Sequence, residues 1–409
     1  MDRVAGHAVR ANYLFAGVAD VYAETGDKSL LNTLDKLWDN VINTKMYVTG
    51  GCGALYDGVS VDGTSYKPDT VQKVHQSYGR DYQLPNFSAH NETCANIGNV
   101  LWNWRMFLLT GESKYADIVE LALYNSVLSG ISMDGTKFFY TNPLAASKNY
   151  PYHLRWEGGR IPYISKSNCC PPNTVRTIAE VSNYMYSVGN DGLYINMYGG
   201  NELRTKLKDG STIALTQETN YPWNGKIVFT IKEAPSKEMG IYFRIPGWCK
   251  SYRFTVNGKA PAILYPAINN GYKSQSRIWK AGDKIELEFD MPATLLESNP
   301  LVEETRNQVA VKRGPVVYCL ESADLPNEDI FNVVVPSSIK LQPVPMKIGN
   351  GNIMALTGEA KLLNGLSWGK TLYKEVTRIT DPVKIKLIPY YAWANRGRTD
   401  MSVWLPLMR

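Results

Sequence analysis

Close to Gly189 the spacing of apolar residues changes from a helical period to a period of two, and this switch limits the chain to a helical region followed by sheets. Before it, Leu14, Val18, Val21 and Tyr22 recur at helical spacing until Gly26 stops the run. Leu31, Leu34, Trp38 and Val41 form a second stripe that ends ahead of Gly50 and Gly51. A third helix is expected from about residue 93, with Ile97, Val100, Leu101, Trp104 and Leu108, ending near Gly111, and a fourth with Ile118, Leu121, Tyr124 and Leu128. The last starts after Pro171 and Pro172, since proline is tolerated in a first turn, and carries Val175, Ile178, Ala179 and Met185. Short connections make these antiparallel helix pairs.

Past the switch, Ile227, Phe229 and Ile231 alternate, as do Ile241, Phe243 and Ile245, and then Tyr252, Phe254 and Val256 ahead of the turn pair Asn257 and Gly258. Ile285, Leu287 and Phe289 continue the pattern, followed by Val309 and Val311 and, near the end, by Val383, Ile385 and Leu387. Many short strands separated by Gly and Pro argue for β-sandwiches rather than a parallel sheet. A chain of 409 residues is long enough for roughly two or three domains.

About five helices with apolar stripes would form a thin layer with one face uncovered. A helix also follows Met1 almost at once, without a cap. Further helices are therefore expected upstream of residue 1, the competing reading being a naturally short variant.

Several function classes are excluded by composition. The formal net charge of +6 is spread over isolated Lys and Arg, and no basic run interleaves with aromatics as nucleic-acid binding requires. No stretch approaches the roughly 20 apolar residues needed to cross a bilayer, and the start MDRVAGHAVRANYLF lacks the charged-then-apolar order of a signal peptide. A soluble protein, cytoplasmic or periplasmic, with no membrane or nucleic-acid partner is expected. The 26 Tyr and 10 Trp supply rings with polar edges, which suit sugar clefts and plain cores alike.

Six cysteines are too few for a disulfide scaffold, so their placement carries the information. Cys169 and Cys170 are adjacent, Cys94 sits two residues after Glu92, and Cys52, Cys249 and Cys319 stand alone. Glu92, Cys94, Cys169 and Cys170 offer three thiolates and a carboxylate, a donor set that zinc accepts in a tetrahedron. Both ligand pairs fall where a helix is expected to begin, and helix amino ends favour thiolate over thiol. The spacing is not the paired C-x-x-C of zinc ribbons, so two buried cysteine sites that only fill space remain the other reading. His7 falls on the polar side of the first helix beside Arg10, and His75 and His90 bracket the polar, aromatic loop VHQSYGRDYQLPNFSAHNETC, a connection elaborate enough to line a site.

Several stretches together resemble glycoside hydrolase family 127, the zinc-dependent β-L-arabinofuranosidases: GHAVRANYLFAGVADVY (6 to 22), YVTGG (47 to 51), YQLPNFSAHNETCANIGNVLWNWRM (82 to 106), FFYTNPL (138 to 144), NCCPPNTVRTIAEVSNYMYS (168 to 187) and IPYYAWANRGRTDMSVWLP (388 to 406). The resemblance implies a catalytic α/α barrel followed by two β-sandwich domains. Residue by residue it implies that Cys169 is the nucleophile, that Glu92, Cys94 and Cys170 are the remaining zinc ligands, and that His7 and Tyr140 contact the sugar. A retaining glycosidase normally uses a carboxylate as nucleophile; here the metal would keep a sulfur anionic instead. One position departs from the family pattern. Gln76 stands where the general acid/base glutamate is expected, ten residues before the Asn of the LPN motif, and an amide cannot donate and recover a proton as a carboxyl does. Either the acid comes from elsewhere, with Asp81, Glu92 or an upstream residue as candidates, or the substrate differs, or catalysis is impaired.

The expected fold is thus multidomain α plus β: the later half of an (α/α)6 barrel over residues 1–190, a β-sandwich over 191–296 with 401–409, and a second β-sandwich over 297–400. The expected function is retaining hydrolysis of β-L-arabinofuranosides or a related rare furanoside of plant-type glycans, with Zn2+ as cofactor and a small sugar or oligosaccharide as partner. The alternative is a non-catalytic carbohydrate-binding or structural protein in which zinc ties two loops together.

Overall fold

The computed structural model describes residues 2–56, 75–149, 159–162, 168–260, 270–363, 371–375 and 380–409. Among the described residues five α-helices lie in the first half of the chain: α1 (Ala8–Thr25), α2 (Lys28–Thr44), α3 (Thr93–Thr110), α4 (Ser113–Ala122) and α5 (Cys170–Glu180). The chain divides into two compact units, one formed by 1–102, 121–174 and 293–409, the other by 103–120 and 175–292. Among the described residues no helix is long and apolar enough to cross a membrane.

In the first unit, α1 ends at Gly26, whose φ of 69° lets its N–H close on Tyr22 O. The Asp27 side chain then caps α2 by accepting from Ser29 N. Helix α2 buries Leu34, Leu37, Trp38 and Val41, close to the expected stripe. For α1 the expected face is corrected. The helix buries Ala8, Asn12, Phe15, Ala16 and Ala19, while Leu14 and Val21 are 62% and 51% exposed. Three alanines permit close approach, and Asn12 fixes the face by donating to Ala95 O and to Cys52 Sγ and accepting from the Tyr78 hydroxyl.

The expected fourth helix also changes form. It leaves α-geometry after Ala122, makes a π-turn over Leu123–Val127 and closes with a tight turn over Leu128–Gly130. Asn125 explains the change. Its amide donates to Leu121 O and Pro315 O and accepts from Val317 N, bonds that a continuous α-helix would leave unmade.

The strands of residues 293–408 in this unit form one sheet in the order Ala293–Leu296, Gln308–Arg313, Trp404–Met408, Val333–Pro336, Gly351–Leu363, Thr380–Pro389, Val316–Glu321, Met401–Ser402, to which Ala145–Ala146 adds an edge. Because Gln308–Arg313 also pairs with Val316–Glu321, the sheet closes on itself there. Met401–Ser402 and Trp404–Met408 find their partners within this sheet and not among the strands of 192–292. Val309, Leu320, Val333, Leu356, Leu387 and Leu405 make its core.

The second unit holds two facing sheets, one ordered 252–256, 284–289, 226–233, 212–219, 201–206, the other 272–278, 238–244, 192–195, 186–188. Alternation sends Ile227, Phe229 and Ile231 from the first and Ile241 and Phe243 from the second into the core, where the rings of Phe229 and Phe243 meet at 5.2 Å. Arg244, fully buried, joins Asp117 and Glu120 of α4 to this core through its two terminal nitrogens. Leu108, Val175, Ile178 and Val181 of this unit are exposed.

Candidate active site

The site is assembled at two helix amino ends within the first unit. Just before α3 the backbone turns at Asn91, with φ of 44°. Asn91 N donates to Gly53 O, and the Asn91 and Asn142 amides each donate to the other's backbone carbonyl. Gly51 makes room for this turn, since a Cβ there would lie 2.2 Å from Asn91 Oδ1. Thr93 then straps α3 to the segment 139–142, its N–H bonding to Tyr140 O and its hydroxyl to Phe139 O. Glu92 and Cys94 are thereby fixed beside Tyr140. The second pair sits at the start of α5, where Thr174 Oγ1 bonds back to Cys170 O and Asn173 N to Cys169 O.

All four candidate ligands converge, with ligand atoms of Glu92, Cys94, Cys169 and Cys170 within 4.8 Å of one another. Their separations test the fit to a metal. Cys94 Sγ is 3.4 Å from Cys170 Sγ, Cys170 Sγ is 3.8 Å from Cys169 Sγ, and both Cys169 and Cys170 lie 3.6 Å from Glu92 Oε1. With zinc–sulfur and zinc–oxygen bonds of usual length, a tetrahedron has S···S edges of about 3.8 Å and S···O edges of about 3.5 Å. The donor set and its spacing fit zinc. Glu92 Oε2 is buried without a hydrogen-bond partner, a further mark of a carboxylate arranged for something other than protein donors.

The four ligands differ in exposure. Cys94 and Cys170 are buried and Glu92 is 3% exposed, whereas Cys169 faces solvent. Hydrogen bonds from Cys170 and then Cys94 draw the Cys169 thiol down, while burial pushes Cys170 well up and the bond to Cys169 pushes Cys94 up. Of the three clustered sulfurs, Cys169 is the one that faces solvent.

Gln76 contacts Tyr140. Its side-chain Nε2 donates to the Tyr140 hydroxyl at 2.6 Å. Its φ is 61°, a conformation held by bonds from Ala8 N to its carbonyl and from its own N–H to Tyr56 O. His7 does not lie on the helical face expected from sequence. It occupies the N-cap position of α1, bridged to Ser77, with Nδ1 buried and lacking a hydrogen-bond partner. Asp81, a candidate acid, is held instead by α2, through Asn40, Thr44 and Lys45 at 3.0 to 3.1 Å.

Two further residues join the site. His90 is 1% exposed, with Nε2 3.6 Å from Glu92 Oε2, and its ring packs between those of Tyr56 and Tyr140 at 5.3 and 5.6 Å. In the sequence His90 marks only the end of a loop, and its position two residues before Glu92 was the available signal; Tyr56 carried none.

Helices that present a thiol–carboxylate tetrad, continued by two β-regions, define a protein built around a metal-competent site at two helix amino ends. Three consecutive family profiles cover the chain: the β-L-arabinofuranosidase GH127 catalytic domain over residues 1–183, the GH127 middle domain over 192–291 and the glycoside hydrolase family 127 C-terminal domain over 293–406. The chain belongs to glycoside hydrolase family 127. Over 423 aligned positions it is 31% identical to a non-reducing end β-L-arabinofuranosidase of Bifidobacterium longum subsp. longum, covering 98% of this chain and 59% of that protein. A solved glycoside hydrolase matches all of the chain at 55% identity and a TM-score of 0.96, the chain covering 67% of it. A GH127 β-L-arabinofuranosidase from Geobacillus stearothermophilus T6 matches at 36% identity and a TM-score of 0.90, with 61% of that enzyme covered. The chain thus spans about three fifths of the length of the curated relative.

Proposed function

We propose that the chain carries the nucleophile and metal site of a retaining glycoside hydrolase that removes β-L-arabinofuranose or a related furanoside from a glycan. The observation that carries this reading is the tetrad itself, in which three ligands are buried and the fourth, Cys169, is left open to a substrate. The helices of the first unit would be part of an (α/α)6 barrel, and such a barrel would cover the exposed Leu14 and Val21 of α1.

In this mechanism Glu92, Cys94, Cys169 and Cys170 would hold zinc, which when bound would supply the charge that keeps the sulfur anionic and weakens its basicity. Cys169 attacks the anomeric carbon, and the C–O bond to the aglycone breaks as the S–C bond forms. Water then displaces the sulfur from the same carbon, so the two inversions give net retention. His7 and Tyr140 orient the sugar.

The test compares Cys169→Ser and Cys249→Ser on p-nitrophenyl β-L-arabinofuranoside, with any coding sequence upstream of residue 1 retained. Only the first should abolish turnover, and the anomer released by the parent should be the one it started from. Turnover that survives in Cys169→Ser would remove the nucleophile from this reading.

A further inference from the structure

Resting on that reading, we propose that a cavity of about 550 Å3 in the first unit binds the part of the glycan beyond the cleaved bond, as a neutral oligosaccharide. Its size is that of an ordinary ligand site. One wall is the loop Pro85–Ser88, and the others include residues of the turns Glu303–Thr305 and Ile330–Asn332 and of the strand Trp404–Met408. These walls are held in place by the protein itself. The Tyr47 hydroxyl donates to Pro85 O, Leu144 N donates to Asn86 O, and Asp329 caps the turn that carries Phe331 by accepting from Phe331 N.

The lining has the chemistry of a sugar site. The rings of Phe87 and Phe331 meet at 5.5 Å and Trp404 supplies a third, apolar surfaces against which the C–H side of a sugar packs. Polar groups stand at the rim. Gln308 Nε2 donates to Glu304 O, and Glu304 is exposed, a carboxylate that accepts from hydroxyls. Asn86 Oδ1 is buried without a protein partner, so its amide can turn toward a hydroxyl without giving up a bond at that oxygen. Among the described residues that line the cavity Glu304 alone is charged and none is Lys, Arg or His, which disfavours phosphates and uronic acids. A mere packing gap would be apolar throughout, whereas this cavity combines rings with amides and a carboxylate.

The chain itself ties this cavity to the tetrad. Ser88 of the lining and the candidate ligand Glu92 are four residues apart, so their Cα atoms lie within about 14 Å of each other on any path. Ala145, also in the lining, follows Tyr140 by five residues, a limit of about 18 Å. A glycan whose terminal residue sits at Cys169 therefore needs only a few more sugars to reach the cavity, whereas a simple aryl glycoside leaves it empty.

The experiment compares Phe331→Ala and Glu304→Gln with the parent, any upstream coding sequence retained, on β-L-arabinofuranose oligosaccharides of two to four residues and on p-nitrophenyl β-L-arabinofuranoside, with melting curves to show that each variant is folded. In the parent kcat/KM should rise with chain length. Each variant should lose about 10-fold in kcat/KM on the longest oligosaccharide, mostly through KM, and stay within about twofold of the parent on the aryl glycoside. A parent indifferent to chain length, an equal loss on both kinds of substrate, or no loss on the oligosaccharide would overturn the assignment. A parent inactive even on the aryl glycoside would instead sink the hydrolase reading, and calorimetric titration with the longest oligosaccharide would then decide the site. Binding weakened about 10-fold in both variants would uphold it, and absent or unchanged binding would overturn it.

Discussion

Removing the metal or one of its ligands gives a measurable consequence whose size follows from the site. Four of the ligand-atom separations lie within a few tenths of an ångström of ideal tetrahedral edges and all ligand atoms lie within 4.8 Å of one another, so zinc binding requires only local adjustment. Its free energy then appears largely as stabilisation of the folded state. At free zinc one hundred times the dissociation constant this amounts to about 2.7 kcal/mol, or an upward shift in melting temperature of about 5–10 °C for a unit of this size. The assay is a thermal melt with zinc and with a chelator, alongside elemental analysis, which should find one zinc per chain. Cys94→Ser replaces a buried thiolate ligand and should collapse the difference between the two melts. Cys319→Ser alters a thiol equally buried but set in the strand Val316–Glu321, so it should lower both melts and keep their separation. Zinc content near zero in metal-replete protein, or an unchanged separation in Cys94→Ser, would refute the site.

Two predictions concern the framework. Arg244→Met should destabilise the protein by about 3–5 kcal/mol in urea denaturation, because Glu120, 2% exposed, loses the cation that offsets its burial. Adding Glu120→Gln should recover part of that loss, and a cost below about 1 kcal/mol for the single change would contradict the network. Burial pushes the Asp81 carboxyl up, but bonds from Asn40, Lys45 and Thr44 outweigh it and leave it below its usual value. A depressed carboxylate contributes stability that is present above the unfolded value and lost as pH falls through the folded one. The stability gap between the parent and Asp81→Asn should accordingly be widest near neutrality and shrink below about pH 4, and a gap that ignores pH would disprove the ion pair.

Where a local period dictates the outcome, the sequence was readable. Ile227, Phe229 and Ile231 alternate because one face of a strand meets a facing sheet, and Leu34, Trp38 and Val41 of α2 recur because one side of a helix does. Period alone does not say which face turns inward, and α1 shows the limit. Its largest apolar residues face outward, while an asparagine lies inward because partners elsewhere in the chain satisfy it. The π-turn at Asn125 was equally hidden, since its bonds reach residues 190 and more positions away. The same holds for the carboxyl-terminal strands, whose partners are chosen by the sheet they complete.

The active site combines both situations. The convergence of the four candidate ligands was anticipated because thiolates and a carboxylate have few other uses in such company, even though Cys94 and Cys170 are 76 residues apart. What the sequence could not convey is the order of exposure. Three ligands are buried by the turn at Asn91 and by the first turns of α3 and α5, and the fourth is not, although Cys169 and Cys170 are adjacent and chemically identical. The helix start separates them. Cys170 is the first residue of α5 and packs inward with its turn, whereas Cys169 precedes the helix and keeps its sulfur toward solvent. A single residue of register at a helix boundary thus divides a buried thiol from an exposed one. Shifting that boundary, by replacing Pro171 and Pro172 with residues that let α5 begin earlier, should bury Cys169 and slow its alkylation by iodoacetamide without removing any donor atom. Unchanged alkylation in such a variant would mean that something other than the helix start sets the exposure of Cys169.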